Sequence, residues 1–364
     1  MSESFVLFRY PADGNRCGVI VTDSDSVERI YSYGNIGEKN GFVFAPFQVA
    51  DDSPIVVLDN AGQETYDLSE LDRLKLTPSF CRTQERNSRG LCSDTSRTDG
   101  RQAYHRDFAA FREALEDGMV KKAVLSRSAF VKTDSGTHVV ELFRRAAVGN
   151  PDSFVALVST PFTGTWLLAT PEILLESDGD MCHTIALAGT RDSSESFPDG
   201  DCVAASWDRK NIEEQQYVAK YISHRLAAFS DDVKENGPFT HNAGRVSHLR
   251  SDFHFRKSPS VTIGRIVSEL HPTPAVCGVP SGKARILIDR CEHNDRRYYS
   301  GFCGTVCTDG ECRLFVTLRC MSIFSDWCRL YAGGGLLAES DEESEWRETE
   351  LKMTAMKNCM SDRE

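Results

Sequence analysis

Short apolar runs separated by turn-forming residues fill the first eighty positions. Phe5-Val6-Leu7-Phe8, Val19-Ile20-Val21, Phe42-Val43-Phe44 and Ile55-Val56-Val57-Leu58 are divided by Gly, Asp, Asn and Pro, a pattern that predicts strands joined by turns. The polar stretch from Arg82 to Arg101, rich in Arg, Ser, Thr and Asp, has no periodicity and reads as a loop or linker. Helical spacing begins near His105, where Phe108, Phe111 and Leu115 recur at three and four, and Gly118 is placed to cap the C-terminus. From Phe154 onward apolar segments alternate with tight turns. Phe154 to Ser159 and Trp166 to Thr170 flank Pro161-Phe162-Thr163-Gly164, Ile173 to Ser177 and Met181 to Leu187 flank Asp178-Gly179, and Gly304 to Cys307 and Cys312 to Val316 flank Asp309-Gly310. Repeated hairpins make antiparallel sheet, so the pattern predicts an α+β fold and argues against a doubly wound parallel one.

Two helical stretches place charges where they are informative. Between about Arg209 and Phe229, Tyr217, Val218, Tyr221 and Ile222 fall three, four, seven and eight residues after Glu214, so Glu214 shares the apolar stripe. An unpaired carboxylate facing a core is costly, and a cation relieves that cost. Near the C-terminus Glu345, Glu348 and Lys352 follow at three and four and project from one side of a helix. Spacing alone favours a solvated, salt-bridged face. Upstream, Val316-Thr317-Leu318-Arg319-Cys320 places an arginine on a predicted strand, and Gly333-Gly334-Gly335 reads as a glycine-rich loop or strand-end turn. Two carboxylates beside a cation and flexible backbone suit a metal-bridged anionic ligand.

With 364 residues the chain can bury a large core, and the wide spread of these elements predicts one intertwined unit. A net charge of −12 with no basic stripe disfavours a nucleic-acid partner, because neutralising phosphates needs clustered Lys and Arg. No apolar stretch approaches the ~20 residues of a membrane span, and MSESFVLFRY lacks a basic region followed by an apolar core, so a soluble cytoplasmic enzyme is expected. The cysteines number thirteen, an odd count in a large chain, and read as free thiols. The spacing of Cys303, Cys307 and Cys312 departs from the paired pattern of zinc sites.

Six segments, in order over roughly residues 100 to 360, carry a resemblance. They are Lys122-Ala123-Val124-Leu125-Ser126-Arg127, Thr170-Pro171-Glu172-Ile173-Leu174-Leu175, Ala186-Leu187-Ala188-Gly189-Thr190-Arg191, Lys210-Asn211-Ile212-Glu213-Glu214-Gln215-Gln216, Leu270-His271-Pro272-Thr273-Pro274-Ala275 and the C-terminal stretch above. Together the chain resembles the chorismate-utilising enzymes, the family of isochorismate, salicylate, anthranilate and aminodeoxychorismate synthases. That resemblance implies two large, mainly antiparallel sheets packed face to face with helices outside. Residues 1–100 are expected to be a strand-rich part of the same unit plus a linker, and 101–364 the chorismate-binding catalytic domain.

The resemblance also implies roles. Lys122 resembles the lysine that deprotonates water for attack on C2 of chorismate, and Glu172 the acid that protonates the departing C4 hydroxyl. The first needs a desolvated place and the second a raised pKa. Left to strand alternation, Glu172 would point to solvent. Glu214 and Glu348 match Mg²⁺ ligands, with Glu345 contributing directly or through water, and oxygen-only ligation suits that ion. Arg319, Gly333 and Lys352 resemble the set that binds the substrate's carboxylates, with Gly189 and Thr190 in the same pocket. Gln215 departs from the family by standing where many members have histidine. Ala275 is similar to the alanine of isochorismate synthases, where members that eliminate pyruvate tend to have threonine. The expected reaction is therefore conversion of chorismate to isochorismate with Mg²⁺ and without an amidotransferase partner. Salicylate synthase is the runner-up, and an anthranilate or aminodeoxychorismate synthase is third.

Overall fold

The structure, a computed structural model, describes residues 3–80, 96–133, 138–192, 207–243 and 246–360. It contains two nine-stranded sheets in which every neighbouring pair is antiparallel. In spatial order the first runs Gly278–Val279, Lys122–Lys132, Trp327–Leu336, Cys320–Ile323, Gly164–Thr170, Phe154–Thr160, Glu3–Arg9, Arg16–Asp23 and Glu64–Asp67. The second runs Val233–Ala243, Val246–Arg256, Met181–Asp192, Ile173–Asp178, Cys312–Val316, Phe302–Val306, Gly41–Ala45, Ile55–Leu58 and Glu28–Ile30. The amino-terminal strands enter both sheets: Glu3–Arg9 pairs with Phe154–Thr160, and Gly41–Ala45 with Phe302–Val306.

Side-chain alternation explains why these strands read as unbroken apolar runs. Phe5 and Leu7 face a helix layer, while Val6 and Phe8 on the same strand face the other sheet, so both faces are buried. Helices Val139–Gly149 and Glu342–Met360 cover the outer face of the first sheet. Arg209–Leu226 and Ile263–Leu270 cover the outer face of the second. Aromatic rings fill much of the space between the sheets, with Phe44 stacked on Tyr298 and Phe154 on Phe315 at centroid distances of 4.3 Å.

Three expectations change. Of the predicted linker, residues 82–95 lie outside the described residues, whereas Ser96 to Arg101 begin the helix Ser96–Glu116. That turn carries no apolar residue to reveal it; Arg101 lies over the Trp346 ring and donates to Glu343 at 2.8 Å, so tertiary contact supports it. Arg319 is not on a strand but in the crossover from Cys312–Val316 of one sheet to Cys320–Ile323 of the other, with φ 45°. The glycine triplet is neither loop nor turn, because Gly333, Gly334 and Gly335 pair with Ser126, Leu125 and Val124 inside the sheet.

Candidate active site

One pocket opens where the strands Lys122–Lys132 and Trp327–Leu336 face Met181–Asp192 and Val246–Arg256. Its lining includes Glu172, Gly189, Thr190, Glu214, His248, Ala275, Arg319, Gly333, Gly335 and Lys352. Lys122 begins its strand, a position where lysines ordinarily reach water, yet it is fully buried behind Glu214. Its Nζ donates to the Pro274 carbonyl at 2.9 Å and lies 3.1 Å from Glu214 Oε1.

The glycine triplet creates the room for this pair. A Cβ on Gly335 would overlap Glu214 Oε1 and lie 2.8 Å from Lys122 Cε; one on Gly334 would lie 2.8 Å from Glu345 Oε2 and 3.9 Å from Glu348 Oε1. The triplet therefore lets carboxylates from two helices come up against a sheet.

Each carboxylate meets a lysine. Glu214 projects from a helix capped by Asp208, which accepts the Asn211 N–H at 2.8 Å. Burial pushes the Glu214 pKa up, but Lys122, Lys210 and Lys352 outweigh it and hold the carboxyl below its ordinary value. Glu348 pairs with Lys352 at 2.7 Å, and Lys352 also donates to the Gly333 carbonyl at 3.0 Å. Glu345 pairs with Lys210. Burial, reinforced by Glu348 and opposed by Lys210, pushes Glu345 up to about 7, and its Oε2 is buried without a hydrogen bond of ordinary geometry. The C-terminal helix thus turns this face inward, not to solvent.

Glu172 sits between the strands Gly164–Thr170 and Ile173–Asp178 rather than in the alternation of either, which is why it avoids solvent. It is 4% exposed, its N–H donates to Thr170 Oγ1 at 3.2 Å, and its carbonyl accepts from Val316. Burial pushes its pKa up to about 7 against the pull of Lys122, Lys352 and Arg319.

On the opposite wall Arg319 Nη2 donates to His248 Nε2 at 2.9 Å, while His248 Nδ1 lies 3.0 Å from the Gly189 carbonyl. Donation by Nδ1–H leaves Nε2 as the acceptor, which fixes a neutral tautomer. Burial and the nearby Arg319 and Lys352 hold the His248 pKa well below its ordinary value. Gly189, at φ 72°, makes a bulge that carries Thr190 over helix residue Asn211, and the Thr190 N–H donates to Asn211 Oδ1 at 3.1 Å. Gln215 is not part of the pocket lining; its side chain donates to the Ala186 carbonyl at 3.1 Å.

His248, Lys210, Asn211, Tyr299 and Tyr331 also belong to the site or its supports and were not among the sequence candidates. Lys210 had a signal, since it lies one helical turn before Glu214. His248 had none in its own strand, because its partners Gly189 and Arg319 are 59 and 71 residues away.

A family model described as chorismate binding enzyme matches residues 58–361. Isochorismate synthase DhbC of Bacillus subtilis is 33% identical over 256 residues, which cover 68% of this chain and 64% of that protein. Isochorismate synthase EntC of Escherichia coli K12 is 31% identical over 247 residues, covering 66% of this chain and 62% of that protein. The matched part thus spans less than two thirds of these relatives' length. The crystal structure of DhbC from Bacillus anthracis shares the fold, with a TM-score of 0.77, 22% identity, and coverage of 98% of this chain and 96% of that one. By the extent of the family match, the chain belongs to the chorismate binding enzyme family.

Proposed function

We propose that this protein interconverts chorismate and isochorismate in a magnesium-dependent reaction. The observation that carries the reading is the burial of Glu172 in the lining of one pocket, with Lys122 buried directly behind the lining residue Glu214, beside walls that hold Arg319 and Lys352. These are a base and an acid for water attack, beside two cations for a dicarboxylate. The three carboxylates Glu214, Glu345 and Glu348 fit a hard divalent ion, since they offer oxygen alone and Glu345 Oε2 is buried without a hydrogen bond of ordinary geometry. A divalent ion held there supplies positive charge for the substrate's ring carboxylate and takes up the Glu214 charge that otherwise pairs with Lys122.

The chain's own residues then divide the work. Arg319, held by His248, and Lys352, held against Gly333, bind and orient the carboxylates. Lys122, buried beside Glu214, takes a proton from the water that attacks C2. Glu172, whose pKa of about 7 keeps much of it protonated at neutral pH, gives its proton to the C4 oxygen, which leaves as water. One water enters and one departs, so the net change is an isomerisation. Ala275 places a methyl at a position where lyase members carry a hydroxyl, which favours stopping at isochorismate.

Chromatography of the products from chorismate and Mg²⁺ tests this, with ammonium added in one arm and lactate dehydrogenase used to detect pyruvate. The expected result is a chorismate and isochorismate mixture, no anthranilate, and little or no pyruvate. Stoichiometric pyruvate with salicylate, or anthranilate formed from ammonium, overturns the assignment.

A further inference from the structure

The strand that carries His248 into the pocket carries a second polar cluster at its far end. Alternate residues of Val246–Arg256 share a face, so Asp252 and His254 lie on the His248 side, with His254 about 20 Å further along at ~3.3 Å per residue. His183 on the neighbouring strand stands directly opposite His254, with the rings stacked at 4.5 Å. The ligand atoms of His183, Asp252 and His254 all lie within 4.8 Å of one another.

We propose that His183, Asp252 and His254 form a binding site for a divalent first-row transition ion of the zinc type, separate from the catalytic pocket. Two imidazoles and one carboxylate are a borderline-soft donor set, suited to zinc and poorly matched to magnesium, which takes oxygen. Three protein ligands leave a fourth position for water.

The surroundings prepare the ligands. His183 Nδ1 lies 3.1 Å from Glu176 Oε2 on the next strand, and Nε2 lies 2.8 Å from Asp252 Oδ1. With Nδ1–H held by the Glu176 carboxylate, Nε2 is the nitrogen left to the ion, which on binding replaces the proton Nε2 shares with Asp252, that proton passing to solvent, as in carboxylate–histidine–metal triads. Asp252 is buried with its Oδ1 between His183 Nε2 at 2.8 Å and Arg250 Nη2 at 2.6 Å, so its carboxylate is already aimed at nitrogen partners. The site also has a resident competitor: Arg250 Nη2 sits 2.6 Å from Asp252 Oδ1, and the ion must displace it from that oxygen. His254 is exposed and can turn out of the stack to aim a ring nitrogen. Once bound, the ion ties together the strands Met181–Asp192 and Val246–Arg256.

Calorimetric titration of the full chain with Zn²⁺, in excess Mg²⁺ to occupy oxygen sites, tests the proposal. One site of micromolar or tighter affinity is expected. His254→Ala, at an exposed position that the fold does not need, should weaken it at least 10-fold, and Glu176→Gln by about 10-fold through loss of the orienting carboxylate. Arg250→Gln should tighten it by removing the competitor. Absence of saturable Zn²⁺ binding overturns the proposal. So does binding that is unchanged in His254→Ala, or binding that disappears in Glu214→Gln while persisting in the histidine variant.

Discussion

The space between the two sheets is filled in two opposite ways. Around Trp166, Phe44, Tyr298, Phe154 and Phe315 it is closed by aromatic rings that stack or meet edge to face. Toward the other edge, where Trp327–Leu336 meets Lys122–Lys132, glycines clear the strand surface and charged groups take the room. One strand spans the change, since Tyr331 stacks on Trp166 and Gly333 to Gly335 follow within four residues. Each aromatic side chain buries roughly 150–250 Å², worth ~4–6 kcal/mol at about 25 cal/mol per Å². Each buried ion costs several kcal/mol unless well paired. The aromatic region therefore sustains the fold, and the charged region is a cost that the fold carries. Pairing Lys122 with Glu214, Lys352 with Glu348 and Lys210 with Glu345 limits that cost.

Substitutions should separate the two regions. The largest loss is expected at the carboxylates: Glu214→Gln or Glu348→Gln should leave under about 1% of activity, as the ~10²-fold or greater effect of a catalytic group implies. EDTA should reproduce that loss in the unmodified protein and Mg²⁺ restore it, as steady-state assays would read. Lys122→Ala and Glu172→Gln should each lower kcat at least ~10²-fold with substrate binding largely retained. A change confined to KM would make them binding groups only. Gly335→Ala inserts a methyl against Glu214 and Lys122, and a shift of about 1 Å there is expected to cost up to ~10²-fold. Circular dichroism should still show the fold.

A smaller effect follows from Glu172. With a pKa pushed up to about 7, its proton is present below pH 7 and lost above, so kcat/KM should fall about 10-fold per pH unit on the alkaline side of a limb near 7. Glu172→Gln should abolish that limb along with most of the activity. The smallest effect on chemistry belongs to the aromatic region. Trp166→Ala should cost roughly 3–5 kcal/mol of stability in denaturant unfolding, while kcat of the folded fraction stays within about twofold if the two regions are separable.

The same contrast governs what the sequence disclosed. Strands with both faces buried announce themselves as apolar runs, and the hairpins at Asp178-Gly179 and Asp309-Gly310 were legible from turn chemistry alone. Glu214 was visible because a carboxylate on an apolar stripe is anomalous at helical spacing. Glu172 required the family resemblance, since alternation pointed it outward. The glycine triplet was misread because glycine signals backbone freedom by default, and the need here is for an absent Cβ beneath carboxylates far off in sequence, Glu214 lying 121 residues before Gly335 and Glu345 lying 11 after Gly334. Arg319 was taken for a strand residue because apolar and polar residues alternate through Val316-Thr317-Leu318-Arg319-Cys320, a strand-like pattern that carries on across the crossover. His248 could not be found from its surroundings, because its contacts exist only once the neighbouring strand brings Gly189 and the crossover between the sheets brings Arg319 against it.

The central claim is that Lys122 delivers a solvent water to C2 while Glu172 releases the C4 hydroxyl. Running the reaction with chorismate and Mg²⁺ in H₂¹⁸O, then weighing the isochorismate formed in the first turnovers by mass spectrometry, tests this directly. The account predicts one ¹⁸O atom in the product, located at the C2 hydroxyl, and at least ~10²-fold less of that labelled product per unit time from Lys122→Ala. Unlabelled isochorismate would mean that the C4 hydroxyl migrates within the substrate, and would contradict the roles given to both residues.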